Sequence, residues 1–360
     1  VSHLEIKPYL LQSIKAAIEE MITQDNQTLS TFVMTDELRH DILNILVTYG
    51  DKIPHPAGGD HSQTLIRWQI LAYVAGIDLT IAKWFESHVD ALSILHELGY
   101  RESTQGLWAI WAAEGHPVPI RYQQGKISGT KSWCSGANIV DHGLITYRDE
   151  SGQSQLLVVS MQQEGIEIDN GEWHAVGMQA TDTATIHFNQ ATASNVGAAN
   201  AYLERVGFWH GAAGVAACWY GATTSIAGYL IKAYQQKPHD YKAMYLGQIS
   251  ISLSVTQQYF HHVAHLIDSQ PTRSHELAIR QLRANVEQLA RDVVEAVGQA
   301  LGAAPFCRNA HFAKLSADLP VFIRQSHGAF DLQRIGELSS ILATDLNNDS
   351  INEQENIWQL

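Results

Sequence analysis

Ten residues in the middle of the chain, GTKSWCSGAN from Gly129 to Asn138, set a tryptophan and a cysteine among small, turn-forming neighbours. A Trp at a strand end can simply plug a domain. A Trp followed at the next-but-one position by a hydroxyl, here Trp133 and Ser135, can also hold a flat ligand. The indole then supplies an apolar wall and the serine a fixed hydrogen bond. On these ten residues alone the two readings weigh equally. A second cluster, His261, His262 and His265 in HHVAH, contains an i, i+4 histidine pair. That spacing can bind zinc, but the glutamate of an H-E-x-x-H helix is missing. In a chain with 18 histidines such a run is expected by chance, and no metal site is expected. HPAGGD at 55–60 has two glycines but no Gly-Lys-Ser/Thr after it, so it reads as a helix–helix turn and not a phosphate cradle.

Three textures must position these residues. Residues 1–107 read as an N-terminal helical domain. TDELRHDILNILVTYGD opens on a Thr cap and carries Leu38, Ile42, Ile45 and Leu46 at helical spacing. The proline-free stretch from Ser62 to Gly99 reads as one long helix that stops at its glycine. From 108 to 197 the periodicity fades, and β-branched residues, glycine and alternation take over. GLITYRDESGQSQLLVVSM reads as strand, turn, strand, and TATIHFNQ as a half-buried strand. Residues 198–345 return to long Ala- and Gly-rich helices, the last placed at about 311–324. The remainder, 346–360, reads as a loose acidic tail.

Composition narrows the function. A chain of 360 residues with 45% hydrophobic content can bury two or three cores. A net charge of −14 argues against nucleic acid as a partner. An anionic cofactor would have to rely on helix N-termini and a few local cations. Polar residues interrupt every apolar run well short of a membrane span, so no membrane partner is expected. No basic n-region precedes an apolar h-region, and Cys134, Cys218 and Cys307 are scattered. Both features fit a cytoplasmic protein.

Four stretches, in order, carry a resemblance to the acyl-CoA dehydrogenase family of flavoproteins over most of the chain. They are LWAIWAAEG at 107–115, GKISGTKSWCSGANIVDHGLI at 125–145 and GMQATDTATIHFNQA at 177–191, followed by the C-terminal helices with LERVGFWHGAAGVA and GQALGAAPF. The resemblance implies a mainly α fold with a central β domain: an N-terminal helical domain, a middle β-barrel-like domain and a C-terminal four-helix bundle. It implies FAD as cofactor, with Trp133 and Ser135 against the flavin ring and Trp111 and Ala113 on the neighbouring strand end. Gln299 and Gly302 resemble the turn that a neighbouring subunit offers to FAD. A homodimer or homotetramer is therefore expected, along with a small-molecule substrate and an electron-transfer partner.

The pattern also departs from the family. The loop after Ala113 lacks the Gly-Ser-Asp that meets the flavin pyrophosphate, and the helix that usually supplies an Arg there offers only Lys242. The position of the usual base, a Glu of the C-terminal loop, falls on Ser326. Some family members place the base one residue before an Arg on the first long helix after the β domain, which points here to Glu204, with Arg205 at the substrate. The implied reaction is then α,β-dehydrogenation of an acyl thioester. Monooxygenases of the same fold carry a histidine near the C-terminal segment, which points to His327, flanked by Arg324 and Asp331. Imidazole titrates near neutral pH and suits that proton-transfer role. A third reading is a non-catalytic fold relative that serves as a binding protein.

Overall fold

The computed structural model describes residues 7–24, 32–58, 63–349 and 358. Four helices come first: α1 (Lys7–Gln24), α2 (Asp36–Thr48), α3 (Gln63–Ile77) and α4 (Leu79–Glu97). Thr35 caps α2 as its sequence predicts, its hydroxyl accepting from the Leu38 amide at 3.1 Å. The stretch read as one helix up to Gly99 is in fact two. Asp78 adopts an extended conformation (φ −156°, ψ 126°), and its carboxylate accepts from the Ile81 amide. An N-cap in mid-run ends α3 and starts α4 as a separate helix. Gly99 then closes α4 in the left-handed region, φ 71°.

The middle region is built from β1 (Trp108–Trp111), β2 (Arg121–Gln123), β3 (Lys126–Cys134), β4 (His142–Arg148), β5 (Ser154–Ser160), β6 (Ile166–Asp169), β7 (Ala184–Thr192) and β8 (Ser194–Asn195). These form two four-stranded sheets, ordered β1-β4-β5-β8 and β2-β3-β7-β6. The β4–β5 hairpin falls where its alternation and Ser-Gly tip place it, with Arg148 opposite Ser154. Inward residues of both sheets, among them Trp111, Ile145, Ile127 and Ile186, belong to one core that continues into the helices.

The chain then returns to helix: α5 (Ala201–Glu204), α6 (Gly207–Gln236), α7 (Asp240–Ser269), α8 (Glu276–Leu301), α9 (Ala304–Arg308), α10 (Ala310–Phe322) and α11 (Ala329–Asp349). α3 packs on α6 very closely. A Cβ added at Gly221 would collide with the Ala72 carbonyl oxygen, so only glycine lets these two backbones approach. The sequence reading ends the bundle's helices near Arg324. The structure adds α11 beyond a turn at Gly328, with Arg280 of α8 paired to Asp331 in its first turn. Apart from Trp358, the tail beyond Asp349 lies outside the described residues. The order of helices, two-sheet domain and helical bundle is the fold that the four stretches imply.

Candidate functional site

α4 and the two sheets meet at a cavity of about 780 Å³. Its geometry starts with β1, an edge strand whose outer backbone groups need partners. Side chains of α4 supply them. The Ile110 amide donates to Ser87 Oγ at 2.9 Å, and the Trp108 amide donates to His88 Nδ1 at 3.1 Å. The helix is thus fixed along the strand. The residues just before these, Lys83 and Glu86, line the cavity on one side, and Ile110 to Ala113 line it at the strand's end.

The opposite wall comes from the stretch around Trp133. The pairing of β3 with β7 jumps from Lys131–Ile186 to Cys134–Ala184, so Ser132 and Trp133 together face a single residue of β7. This bulge puts Trp133 in the left-handed region (φ 64°) and turns its indole outward, 65% exposed. A Trp that merely plugged the β domain would be buried. Strain at a non-glycine residue with an exposed ring is a feature of ligand sites. Trp133 also borders two smaller cavities, of about 490 and 370 Å³.

Beside Trp133 runs a chain of hydroxyls. Ser135 Oγ lies 2.8 Å from Thr183 Oγ1, which lies 2.9 Å from Thr181 Oγ1. Trp111 Nε1 donates to the Ser135 carbonyl and Trp84 Nε1 to that of Thr181, at 3.1 Å each. Two buried indoles therefore fix the backbone that carries the hydroxyls. Thr181 and Thr183 fall within the third resembling stretch, where a hydroxyl-rich turn before a strand was the available signal.

The structure brings Trp111, Ala113, Trp133, Ser135 and His327 to this one cavity, together with Arg324. The His327 amide donates to Asp331 Oδ2 at 2.9 Å, which ties the turn carrying the imidazole to α11. Glu204 and Arg205 are not brought to it. The Glu204 side chain is exposed on α5, and Arg205 pairs with Glu97 at 2.9 Å while lying over the Tyr202 ring. Gln299 and Gly302 are at the far end of α8. There Gln299 accepts from Tyr245 Oη of α7 at 2.6 Å, and Gly302 (φ 68°) closes the helix. Lys242 caps α6, donating to the carbonyls of Ala233 and Lys237 at 3.0 Å.

The sequence reading missed Lys83 and Glu86. Their ion pair spans 3.5 Å, and both side chains are largely withdrawn from solvent. Burial pushes the Glu86 carboxyl above the usual carboxylate range, with Lys83 opposing the shift. In the neighbouring cavity Lys131 donates to the carbonyl oxygen of Thr146 at 2.6 Å. Burial lowers its pKa to about 8.

No protein-family model and no curated protein matches the chain. Solved structures do match. Butyryl-CoA dehydrogenase from Megasphaera elsdenii superposes with a TM-score of 0.75 at 13% identity, over 91% of this chain and 97% of that one. KijD3 in complex with FMN and dTDP-3-amino-2,3,6-trideoxy-4-keto-3-methyl-D-glucose gives 0.73 at 16%, over 99% and 97%. FMN-bound TdsC from Paenibacillus sp. A11-2, a dibenzothiophene monooxygenase, gives 0.72 at 14%, over 92% and 96%. The chain has the acyl-CoA dehydrogenase-like fold.

Proposed function

We propose that the protein is a flavin-dependent oxidoreductase and that the cavity on α4 is its flavin and substrate site. The observation that carries this reading is the outward indole of Trp133 beside the Ser135–Thr183 hydroxyl pair. An isoalloxazine ring needs a flat apolar wall and a few fixed polar groups at its edge, and these residues fit both needs. A bound flavin would supply two-electron redox chemistry that no side chain has. The chain's own residues would hold the ring on Trp133, fix its polar edge through Ser135 and Thr183, and keep water from its inner face with Trp111, Met178 and Phe322.

FMN fits better than the FAD implied by the resemblance. The loop after Ala113 lacks the Gly-Ser-Asp expected at a pyrophosphate, and Lys242 is engaged in capping α6. KijD3 and TdsC are FMN-bound. Between the two reactions, the position of His327 on the cavity wall favours oxygen chemistry. The exposed Glu204, outside the cavity, gives acyl-thioester dehydrogenation less support. We further propose a homo-oligomer formed through α7, whose outward face carries Tyr241, Met244, Ile251 and Val255. Gln299 borders that face through Tyr245, which suits a role toward a neighbouring copy. The proposed compartment is the cytoplasm, where the unpaired Cys134, Cys218 and Cys307 would stay thiols.

The test is the visible spectrum of the purified protein after loading with FMN or FAD and gel filtration. Retained, resolved flavin bands support the site, and Trp133→Ala should weaken retention by about tenfold or more. Anaerobic bleaching by an acyl-CoA selects the dehydrogenase. Oxygen uptake on reduction without such bleaching selects the monooxygenase. A protein that holds neither flavin is a non-catalytic binding relative, and the proposal fails.

A further inference from the structure

Glu86 is the one carboxylate among the described residues that line the cavity. It sits on a rigid element, because its sequence neighbours Ser87 and His88 fasten α4 to β1. Among the described residues its ion-pair partner is Lys83, one turn earlier at 3.5 Å, and Lys83 lines the same cavity. A structural ion pair in a core is usually closed in by further hydrogen bonds, because burying charge is otherwise costly. This pair opens instead onto the space where a ligand would lie.

We infer that Glu86, with Lys83 beside it, is an acid–base group of this cavity that acts on the substrate, separately from His327. Its carboxylate touches the substrate and takes the proton that must leave before oxidation. The reading rests on the flavin site proposed above. In the step, a C–H or O–H bond of the substrate breaks and the proton bonds to a Glu86 oxygen. The bonding pair stays on the substrate, and Glu86 later returns the proton to water through the open side of the cavity. The substrate class follows. It presents an acidic C–H, next to a carbonyl, or an O–H to the inner wall, where a plain alkyl end would leave the charged pair without a polar partner.

The electrostatics suit this work. Lys83 and Asp90 face the carboxyl from α4, Arg67 from α3, Tyr202 from α5, Cys218 from α6 and Arg283 from α8. Burial raises the pKa of Glu86, Asp90 adds to the rise, and Lys83 and Arg67 oppose it, so the carboxyl holds a proton more readily than an exposed one.

The experiment measures the midpoint potential of FMN bound to the full chain across pH, for wild type, E86Q, E86D, K83M and H327N. A carboxyl that exchanges its proton against the ligand produces a break in the dependence of potential on pH. We expect the break in wild type, in E86D and in H327N, its loss in E86Q, and its displacement to higher pH in K83M. Thermal melting of each variant controls for folding, and E86D and K83M keep the test decisive if E86Q does not fold. The inference is overturned if E86Q follows wild type at every pH, which makes Glu86 a structural ion. It is also overturned if H327N alone removes the break, which gives the proton to the histidine. Failure of every variant and of wild type to hold FMN refutes the flavin reading instead.

Discussion

α4 and α7 are both long and apolar, yet the fold treats them oppositely. α4 is buried along most of its length, Glu86 and His88 included, and carries Lys83 and Glu86 at the cavity and His88 against β1. α7 is half as long again, but it buries little beyond Ile249, Thr256, Phe260 and a few residues near its C-terminus. Its outward Tyr241, Ile251 and Val255 are more than 60% exposed. The difference separates two uses of an apolar helix. One is surrounded by its own chain and can hold polar groups in fixed places. The other presents a surface that another copy can cover.

The comparison can be broken most forcefully with acid. Burial lowers the pKa of His88 to about 4, and those of His55 and His210 likewise to about 4. A histidine held neutral by the fold contributes stability above its unfolded pKa of 6.5, and that contribution is lost as pH falls through the folded value. Stability should therefore drop between pH 6.5 and 4. Each deeply buried histidine should account for roughly 2–3 kcal/mol. Denaturant melts of wild type and His88→Asn across this range would check it, with a shallower slope expected in the variant. A flat profile would show that the surroundings of α4 admit water.

Glycine gives a matched pair. Gly221→Ala on α6 drives a methyl group into the Ala72 carbonyl and should cost about 3 kcal/mol. Gly247→Ala on α7 meets nothing within 4 Å and should instead stabilise the helix by about 0.5–1 kcal/mol. Thermal melts distinguish the two by sign. If Gly247→Ala also destabilises, α7 is closely packed in solution and the contrast with α4 is weaker. The smallest effect on the folded chain is expected from Ile251→Glu with Val255→Glu, within about 0.5 kcal/mol of wild type for each. The same pair should reduce the mass seen by sedimentation to that of a single chain. A variant mass unchanged from a multimeric wild type would place the contact elsewhere, and a wild type that sediments as a single chain would remove the proposed oligomer.

Much of this was legible in the sequence. The Thr35 cap, the β4–β5 hairpin and the Gly99 stop are local signals, set by residues a few positions apart, and the structure has all three. The break at Asp78 was hidden, because an aspartate inside an apolar run looks like a solvent-facing position until its carboxylate is seen on the Ile81 amide. α11 was hidden because its Asn-rich end gives weak periodicity, and its anchor is an ion pair from Asp331 to a residue 51 positions earlier. The site divides in the same way. Trp133 and Ser135 stood out by type and spacing. Glu86 did not, since a Lys-x-x-Glu on a helix usually marks a solvated face.

The sequence alone determined the order of the three regions, the locally capped helices and the β4–β5 hairpin, and the Trp-hydroxyl element in the middle region, but neither the α3–α4 break nor α11. Only the tertiary structure decided that Glu86 lines the cavity while Glu204 is exposed outside it, and that α4 is enclosed while α7 is bare. The reason is physical. Caps, turns and periodicity depend on neighbours along the chain, whereas burial and the facing of one group to another depend on residues that meet only when distant elements pack.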